Sequence, residues 1–99
     1  GQIEGGVTMS LGYALTEDFP LDNGKPLAKL GTLGIFRADK TPEIKSVIIG
    51  KKIRGLAYGA KGIGEIASIP TAPAVQLAYY NYDGIFRTQL PLKGTYYKK

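Results

Sequence analysis

The sequence contains neither cysteine nor histidine. Their absence excludes disulfides, thiol catalysis, zinc fingers, iron–sulfur ligation and any nucleophile that needs a Ser-His or Cys-His pair. A transition metal bound directly by side chains of this chain is therefore not expected. A metal held by an organic cofactor stays compatible with the composition, because the cofactor can supply the ligands.

Long apolar runs are missing as well. No stretch of the 99 residues is long enough to span a bilayer, and no charged and then apolar signal sequence opens the chain. We therefore expect a cytoplasmic protein with no membrane contact. With 43% hydrophobic residues, the chain has the composition of one small globular domain that spans residues 1–99.

The chain is basic, but its positive charge is scattered. Thirteen Lys and Arg residues against eight Asp and Glu residues give a net charge of +5. Only Lys51, Lys52 and Arg54, and the two C-terminal lysines, form clusters. Surfaces that bind nucleic acids concentrate charge on one face, so we expect a solvated basic surface and no nucleic-acid partner. A stand-alone anion- or nucleic-acid-binding domain is the third-ranked interpretation.

Two helices are predicted. Apolar residues that recur three and four positions apart over residues 2–17 predict the first helix. It contains Gly5, Gly6 and Gly12, each of which costs up to ~1 kcal/mol relative to alanine in a helix interior. We therefore expect these glycines to allow close packing against another backbone or a cofactor. The missing cap before this helix is typical of a chain cut from a longer polypeptide.

The second helix is predicted over residues 71–82. Thr71 or Ala72 would be its N-cap, Pro73 lies in the first turn, where proline is tolerated, and Asp83-Gly84 ends it. The side chains predicted to form its buried side are Val75, Ala78, Tyr79 and Tyr82.

Three strands are predicted, over residues 30–38, 44–50 and 85–90. The middle strand has the strongest signal, because it is rich in β-branched residues. Asp22-Asn23-Gly24 predicts a turn within a loop over residues 18–26. The order of helix, two strands, loop, helix and strand indicates an α+β fold, a small mixed domain with two main helices and a short, mostly antiparallel sheet.

The most informative motif is the run Gly59-Ala60-Lys61-Gly62-Ile63-Gly64-Glu65, followed by Ile69-Pro70-Thr71-Ala72-Pro73-Ala74. Its glycines let other groups approach the backbone closely, and its one carboxylate is suited to a general base. It is neither a P-loop nor a dinucleotide fingerprint, because the residues and spacing that define those motifs are missing. From the residues alone, the run is either a structural turn or a functional loop, and Glu65 is either a base or a cap of the following helix.

This run resembles the last active-site segment of the xanthine dehydrogenase and aldehyde oxidase family of molybdenum hydroxylases. Gln2-Ile3-Glu4-Gly5-Gly6 and Leu11-Gly12-Tyr13-Ala14-Leu15-Thr16-Glu17 match a second segment of that family. The resemblance extends from Gln2 to about Leu92. It implies that the chain is a C-terminal piece of the molybdopterin-binding subunit and that its fold is a fragment of a larger molybdopterin-binding domain.

The resemblance also implies roles for individual residues. Glu65 corresponds to the general base, which takes a proton from a hydroxyl group at the metal. Gln2 corresponds to a glutamine whose amide contacts the cofactor, and Gly62, Ile63 and Gly64 correspond to cofactor-binding residues. The implied reaction is the oxidative hydroxylation of a purine, another N-heterocycle or an aldehyde, with water as the source of oxygen.

The implied cofactor is molybdopterin carrying molybdenum, with or without a nucleotide. Iron–sulfur and FAD centres are expected on other domains or subunits, and the expected partners are those subunits and the remainder of the molybdopterin-binding subunit. We expect the chain alone to be inactive and to expose an apolar face where that remainder docks. The alternative is a non-catalytic truncated or split domain that acts only as a folding or docking module. Met9-Ser10, which replace the Gln-Gly usual in relatives, support that alternative.

Overall fold

A computed structural model describes residues 1–51 and 55–98. In chain order it contains helix α1 (Gln2–Leu15), strands β1 (Leu21–Asp22) and β2 (Lys25–Pro26), and helix α2 (Thr71–Asp83). Irregular segments with short 3₁₀ turns join these elements. The two helices and the two-stranded antiparallel sheet form a small mixed α+β domain, which confirms the predicted fold class.

Some of the clustered basic residues lie outside the described residues. These are Lys52 and Arg54 of the first cluster and Lys99 of the second. Among the residues that are described, no helix is both long enough and apolar enough to cross a membrane.

Both helices lie close to their predicted positions. Helix α1 ends at Leu15, two residues early, because the N–H groups of Thr16 and Glu17 both donate to the Gly12 carbonyl, at 2.9 and 2.8 Å, and close the last turn. Helix α2 ends as predicted, where Gly84 adopts a left-handed φ of 74° and its N–H donates to the Tyr80 carbonyl at 2.8 Å.

Two details of the α2 prediction are wrong. The residue that precedes the helix is Pro70, so neither Thr71 nor Ala72 is the N-cap. Ala78 and Tyr82, which were predicted to be buried, are exposed, and only Val75 and Tyr79 of the predicted set pack against the core. The helix therefore buries a narrower stripe than its apolar pattern indicates.

The three predicted strands are also wrong. Residues 30–38, 44–50 and 85–90 contain no strand, and two 3₁₀ turns, Leu30–Thr32 and Ala38–Lys40, occupy part of the first segment. Strand propensity reports how well a residue fits a pleated, half-buried surface rather than a preference of the isolated backbone. The described part of the chain supplies no such surface to these segments.

The sheet instead forms inside the predicted loop over residues 18–26. Leu21 pairs with Pro26 and Asp22 with Lys25. Asn23 and Gly24, at φ values of 47° and 78°, form the connection, and two successive positive φ angles are typical of a type I′ hairpin turn. The predicted turn is thus confirmed, although it closes a hairpin too short to cover a core.

The core is built from small residues. Helix α1 buries Gly6, Ser10 and Ala14, spaced four residues apart, so that this side of the helix has little bulk. The buried cluster consists of Ala14, Leu15 and Ala72, and Leu11, Tyr13, Val75 and Tyr79 pack against it. Leu92 is fully buried, and its N–H donates to the Ala14 carbonyl at 2.8 Å, which attaches the C-terminal segment to α1.

The chain is extended and has a large accessible surface for its length. Its radius of gyration is 16.7 Å, whereas a compact domain of this length has a value of about 13 Å. The accessible surface is 8188 Å², against about 5,500 Å² for a compact monomer of this mass. Val47, Ile48 and Ile49 are among the many large apolar residues left exposed. The chain therefore exposes the apolar surface that the sequence analysis expects.

An ion pair holds the segment after α2 in place. The guanidinium group of Arg87 contacts the Asp83 carboxylate through two nitrogens, at 2.7 and 3.1 Å. It also donates to the carbonyls of Lys93 and Gly94, at 2.7 and 3.0 Å, and stacks over the Tyr79 ring. The hydrogen bonds from Arg87 lower the pKa of Asp83 below its ordinary value.

The Asp83→Asn variant should lose a stabilising contribution that depends on pH. Because the pKa of Asp83 is lowered on folding, this contribution is complete above the unfolded pKa of about 3.9 and is lost as the pH falls through the folded pKa. Urea unfolding followed by circular dichroism should therefore show a larger loss of unfolding free energy between about pH 5 and about pH 2 in the wild type than in Asp83→Asn. Asp39→Asn, which removes an exposed carboxylate, serves as the control. Equal losses in the wild type and in Asp83→Asn would contradict this account.

Candidate active site

The structure brings the two predicted site segments together. Gln2 lies at the start of α1, and its Nε2 donates to the carbonyl of Gly64 at 3.0 Å. The two residues are 62 positions apart in the chain. The residue predicted to contact a cofactor therefore touches the residue immediately before Glu65, the predicted base.

This contact is possible because α1 lies directly against the 3₁₀ turn Ile66–Ser68. A Cβ placed on Gly6 would lie 2.9 Å from the Cβ of Ala67 and 3.3 Å from its carbonyl carbon. The expected close packing is thus confirmed for Gly6, and what packs against it is the protein backbone of the turn rather than a cofactor. Within the described residues, nothing lies within 4 Å of the corresponding position on Gly5.

Two hydroxyl groups on α1, those of Ser10 and Tyr13, hold the same turn in place, and neither is among the predicted site residues. The Ser10 and Tyr13 hydroxyls lie 2.8 and 2.9 Å from the Ser68 carbonyl oxygen and 2.9 Å from each other. Ser68 in turn donates its hydroxyl and its N–H to the Glu65 carbonyl, at 2.7 and 3.0 Å. A hydrogen-bonded path thus runs from α1 to the backbone of Glu65. In the sequence, the signal for these contacts is a pair of hydroxyl-bearing residues three positions apart, on the side of α1 that buries Gly6 and Ala14.

The Glu65 side chain itself is exposed. Glu65 precedes the 3₁₀ turn Ile66–Ser68, but its carboxylate forms no capping hydrogen bond, so the capping interpretation is not supported. The described part of the chain does not enclose the carboxylate in apolar walls. The group therefore faces solvent or whatever covers this side of the molecule.

The Gly-rich loop offers hydrogen-bond donors and open space. The main-chain N–H groups of residues 61–65 form no hydrogen bond within the described part of the chain. Gly62 and Gly64 have no positive φ, and nothing described lies within 4 Å of where their Cβ atoms would be. Neither backbone conformation nor packing inside the described chain therefore requires glycine at these two positions. The close approach of a group from outside the described chain would explain why glycine is used at both positions.

These features suit an oxygen-rich organic group better than a bare metal ion. Within residues 1–51 and 55–98, no three or more acidic side chains cluster as metal ligands would. Gly62, Ile63 and Gly64 are exposed and next to one another, and the Gln2 amide lies beside them. Main-chain N–H groups and a carboxamide donate hydrogen bonds, whereas hard metal ions are bound through oxygen ligands.

Comparison with curated proteins decides the relationship. The chain is 36% identical over 93 residues to a protein of Bacillus subtilis (strain 168) that is named as a probable xanthine dehydrogenase subunit. It is 30% identical over 95 residues to an Escherichia coli O157:H7 protein named "Xanthine dehydrogenase molybdenum-binding subunit". Over nearly its whole length, the chain is therefore similar in sequence to part of proteins that are named as xanthine dehydrogenase subunits. No protein-family model matches it.

The xanthine dehydrogenase relationship extends over 93% of this chain but over only 12% and 13% of the lengths of these two relatives. The predicted resemblance is thereby confirmed. The roles assigned to Gln2, Gly62, Ile63, Gly64 and Glu65 are predictions that neither the similarity nor the geometry tests.

Replacing Gly6 with alanine should disturb the packing of α1 on the Ile66–Ser68 turn. The added methyl group would clash with Ala67, at a cost of about 1–3 kcal/mol that outweighs the gain in helix propensity. Gly5→Ala is the matched control, since space is open there, and it should stabilise the chain by up to about 1 kcal/mol. The measurement is the free energy of unfolding in urea. If both variants are stabilised equally, α1 does not pack on the turn as described.

Proposed function

We propose that residues 1–99 form a single C-terminal piece of the molybdopterin-binding subunit of a molybdenum hydroxylase related to xanthine dehydrogenase. The observation that carries this proposal is the 3.0 Å hydrogen bond between Gln2 and Gly64. It puts the predicted cofactor contact beside the predicted base, although the two segments are far apart in the sequence. Relatives of the chain are named for xanthine dehydrogenase and for molybdenum binding, which supports the same assignment.

The cofactor in this proposal is molybdopterin carrying molybdenum, with or without a nucleotide. The Gln2 amide and the main-chain N–H groups of Gly62, Ile63 and Gly64 would hold it, because these N–H groups have no partner within the described chain. The open space over Gly62 and Gly64 supports the fit. When bound, the cofactor supplies a metal centre that accepts the two electrons removed from the substrate.

Glu65 is the general base of the proposed reaction. Its carboxylate accepts the proton lost by the water-derived oxygen as that oxygen bonds to a carbon of a purine, another N-heterocycle or an aldehyde. The C–H bond of that carbon breaks in exchange, and its hydrogen would leave with the electron pair that the cofactor accepts. The backbone of Glu65 is held by two hydrogen bonds from Ser68, so the carboxylate starts from a fixed point. Enclosure of its exposed side chain by the rest of the subunit would exclude water from the reacting atoms.

The proposed activity needs more protein than this chain contains. The chain covers 12–13% of the length of its relatives, and cofactor pockets bury most of their ligand. The remainder of the subunit would complete the pocket, and iron–sulfur and flavin subunits would carry the electrons away. A cytoplasmic location and the lack of a nucleic-acid partner stay predictions from the sequence.

A second candidate is a split domain that docks but does not catalyse. Its support is the surface of 8188 Å² rich in exposed apolar side chains, which favours a docking role whether or not the site is active. The two candidates differ in whether the assembled complex turns over substrate and in whether that turnover depends on Glu65.

The test uses the chain assembled with the remainder of its subunit and with its partner subunits. Glu65→Gln should lower kcat by at least about 100-fold, because a positioned base typically contributes that much, while the molybdenum content per complex stays unchanged. Asp39→Asn, which removes an exposed carboxylate outside both site segments, is the control and should keep full activity.

The outcomes separate the two candidates. An assembled wild-type complex that contains molybdenum but turns over no heterocycle or aldehyde would favour the docking module. Unchanged turnover in Glu65→Gln would remove Glu65 from the role of base, and a complex free of molybdenum would overturn the proposal as a whole.

A further inference from the structure

The segment over residues 42–51 has a main chain without partners. Within residues 1–51 and 55–98, none of its N–H or C=O groups forms a hydrogen bond. Its three successive apolar side chains Val47, Ile48 and Ile49 are 84%, 80% and 86% exposed. Within the described chain, these ten residues thus lack main-chain partners, and their apolar side chains other than the half-buried Ile44 are exposed.

The sequence of this segment is that of a strand. Residues 44–50 read Ile-Lys-Ser-Val-Ile-Ile-Gly, rich in the β-branched residues that favour sheets. In a strand, successive side chains alternate between faces, so Val47 and Ile49 would lie on one face and Ile48 on the other. Apolar residues on both faces are typical of strands in a sheet that is covered on both sides.

We propose that residues 44–50 join a β-sheet of the remainder of the molybdenum-binding subunit as an added strand. This inference rests on the proposed function, since it takes that remainder as the partner. Most of the subunit lies outside this chain, which covers 12–13% of its relatives. The partner supplies the edge of a sheet whose main-chain groups pair with those of the segment, and it supplies apolar layers that cover Ile48 on one side and Val47 and Ile49 on the other.

A second copy of this chain is a less favourable partner for residues 44–50 than the remainder of the subunit. Each copy carries a net charge of +5, so two copies repel each other. Lys45 and Lys51 border the apolar residues, and lysines at an unpaired edge oppose pairing between identical strands. Neither the repulsion between two identical charges nor the pairing of two identical lysine-bearing edges arises with a different partner that has a complementary sheet edge.

Hydrogen–deuterium exchange on the assembled complex tests the inference directly. In the free chain, the amides of residues 44–50 should exchange at nearly the rate of an unstructured peptide, because they lack partners. In the complex of the chain with the remainder of its subunit, exchange should slow by at least about tenfold. Protection in the free chain that grows with concentration would identify a second copy as the occupant and overturn the inference.

Proline substitutions test whether the main chain or only the side chains take part. Val47→Pro and Ile48→Pro each remove one N–H from the segment, and assembly should weaken by at least about tenfold for a variant whose N–H is paired. Ile48→Val is the matched control, because it keeps the N–H, the β-branched shape and the apolar character, and it should assemble much more like the wild type than Ile48→Pro does. Circular dichroism of each free variant should be unchanged, since the segment forms none of the described structure. Full assembly of both proline variants would overturn the inference.

The results also separate this inference from the proposed function. A complex that contains molybdenum but leaves residues 44–50 unprotected would overturn the inference and leave the function standing. Protection of residues 44–50 in a complex free of molybdenum would overturn the proposed function and leave this inference standing. Failure of the chain to assemble with the remainder of the subunit would overturn both.

Discussion

The close approach of α1 to the Ile66–Ser68 turn is the constraint on which the rest of the candidate site depends. It exists because Gly6 has no side chain to collide with Ala67. The same approach brings the Ser10 and Tyr13 hydroxyls to the Ser68 carbonyl, and it sets Gln2 against Gly64. If α1 moved outward by the thickness of one methyl group, these hydrogen bonds would be too long to form. The position of Glu65 therefore follows from the packing of a helix to which it does not belong.

The small-residue core that permits this approach also leaves the chain short of buried apolar surface. Within the described residues, the fully apolar cluster is only Ala14, Leu15 and Ala72, with Leu92 packed separately. A core of this size covers one side of α1 and little else, and the excess surface is distributed over the long connecting segments. The site and the unpaired segment over residues 42–51 are thus two consequences of one property. The chain is built to pack tightly at one place and leaves the remaining surfaces for other protein.

The sequence predicts the features that are encoded locally. The 3.6-residue periodicity gives both helices, Asn23-Gly24 gives the hairpin turn, and Gly84 gives the end of α2, because each depends on a few neighbouring residues. The predicted strand over residues 44–50 fails for the opposite reason, since a strand needs a partner edge that the described chain does not supply. Likewise, the sequence around Ser10 does not reveal its contact with Ser68, 58 residues away. Resemblance to the family identifies Gln2 and the Gly-rich loop, but only the folded chain joins them.

The most direct test of this account is a nuclear Overhauser measurement on the free chain in solution. It asks whether the Gly6 α-protons lie next to the Ala67 methyl group, which is the contact from which the other distances follow. The account predicts a strong cross-peak between them, together with helical chemical shifts for residues 2–15. A chain in which α1 is fully helical but shows no contact with residues 66–68 would contradict it. The packing that brings Gln2 close to Glu65 would then be absent.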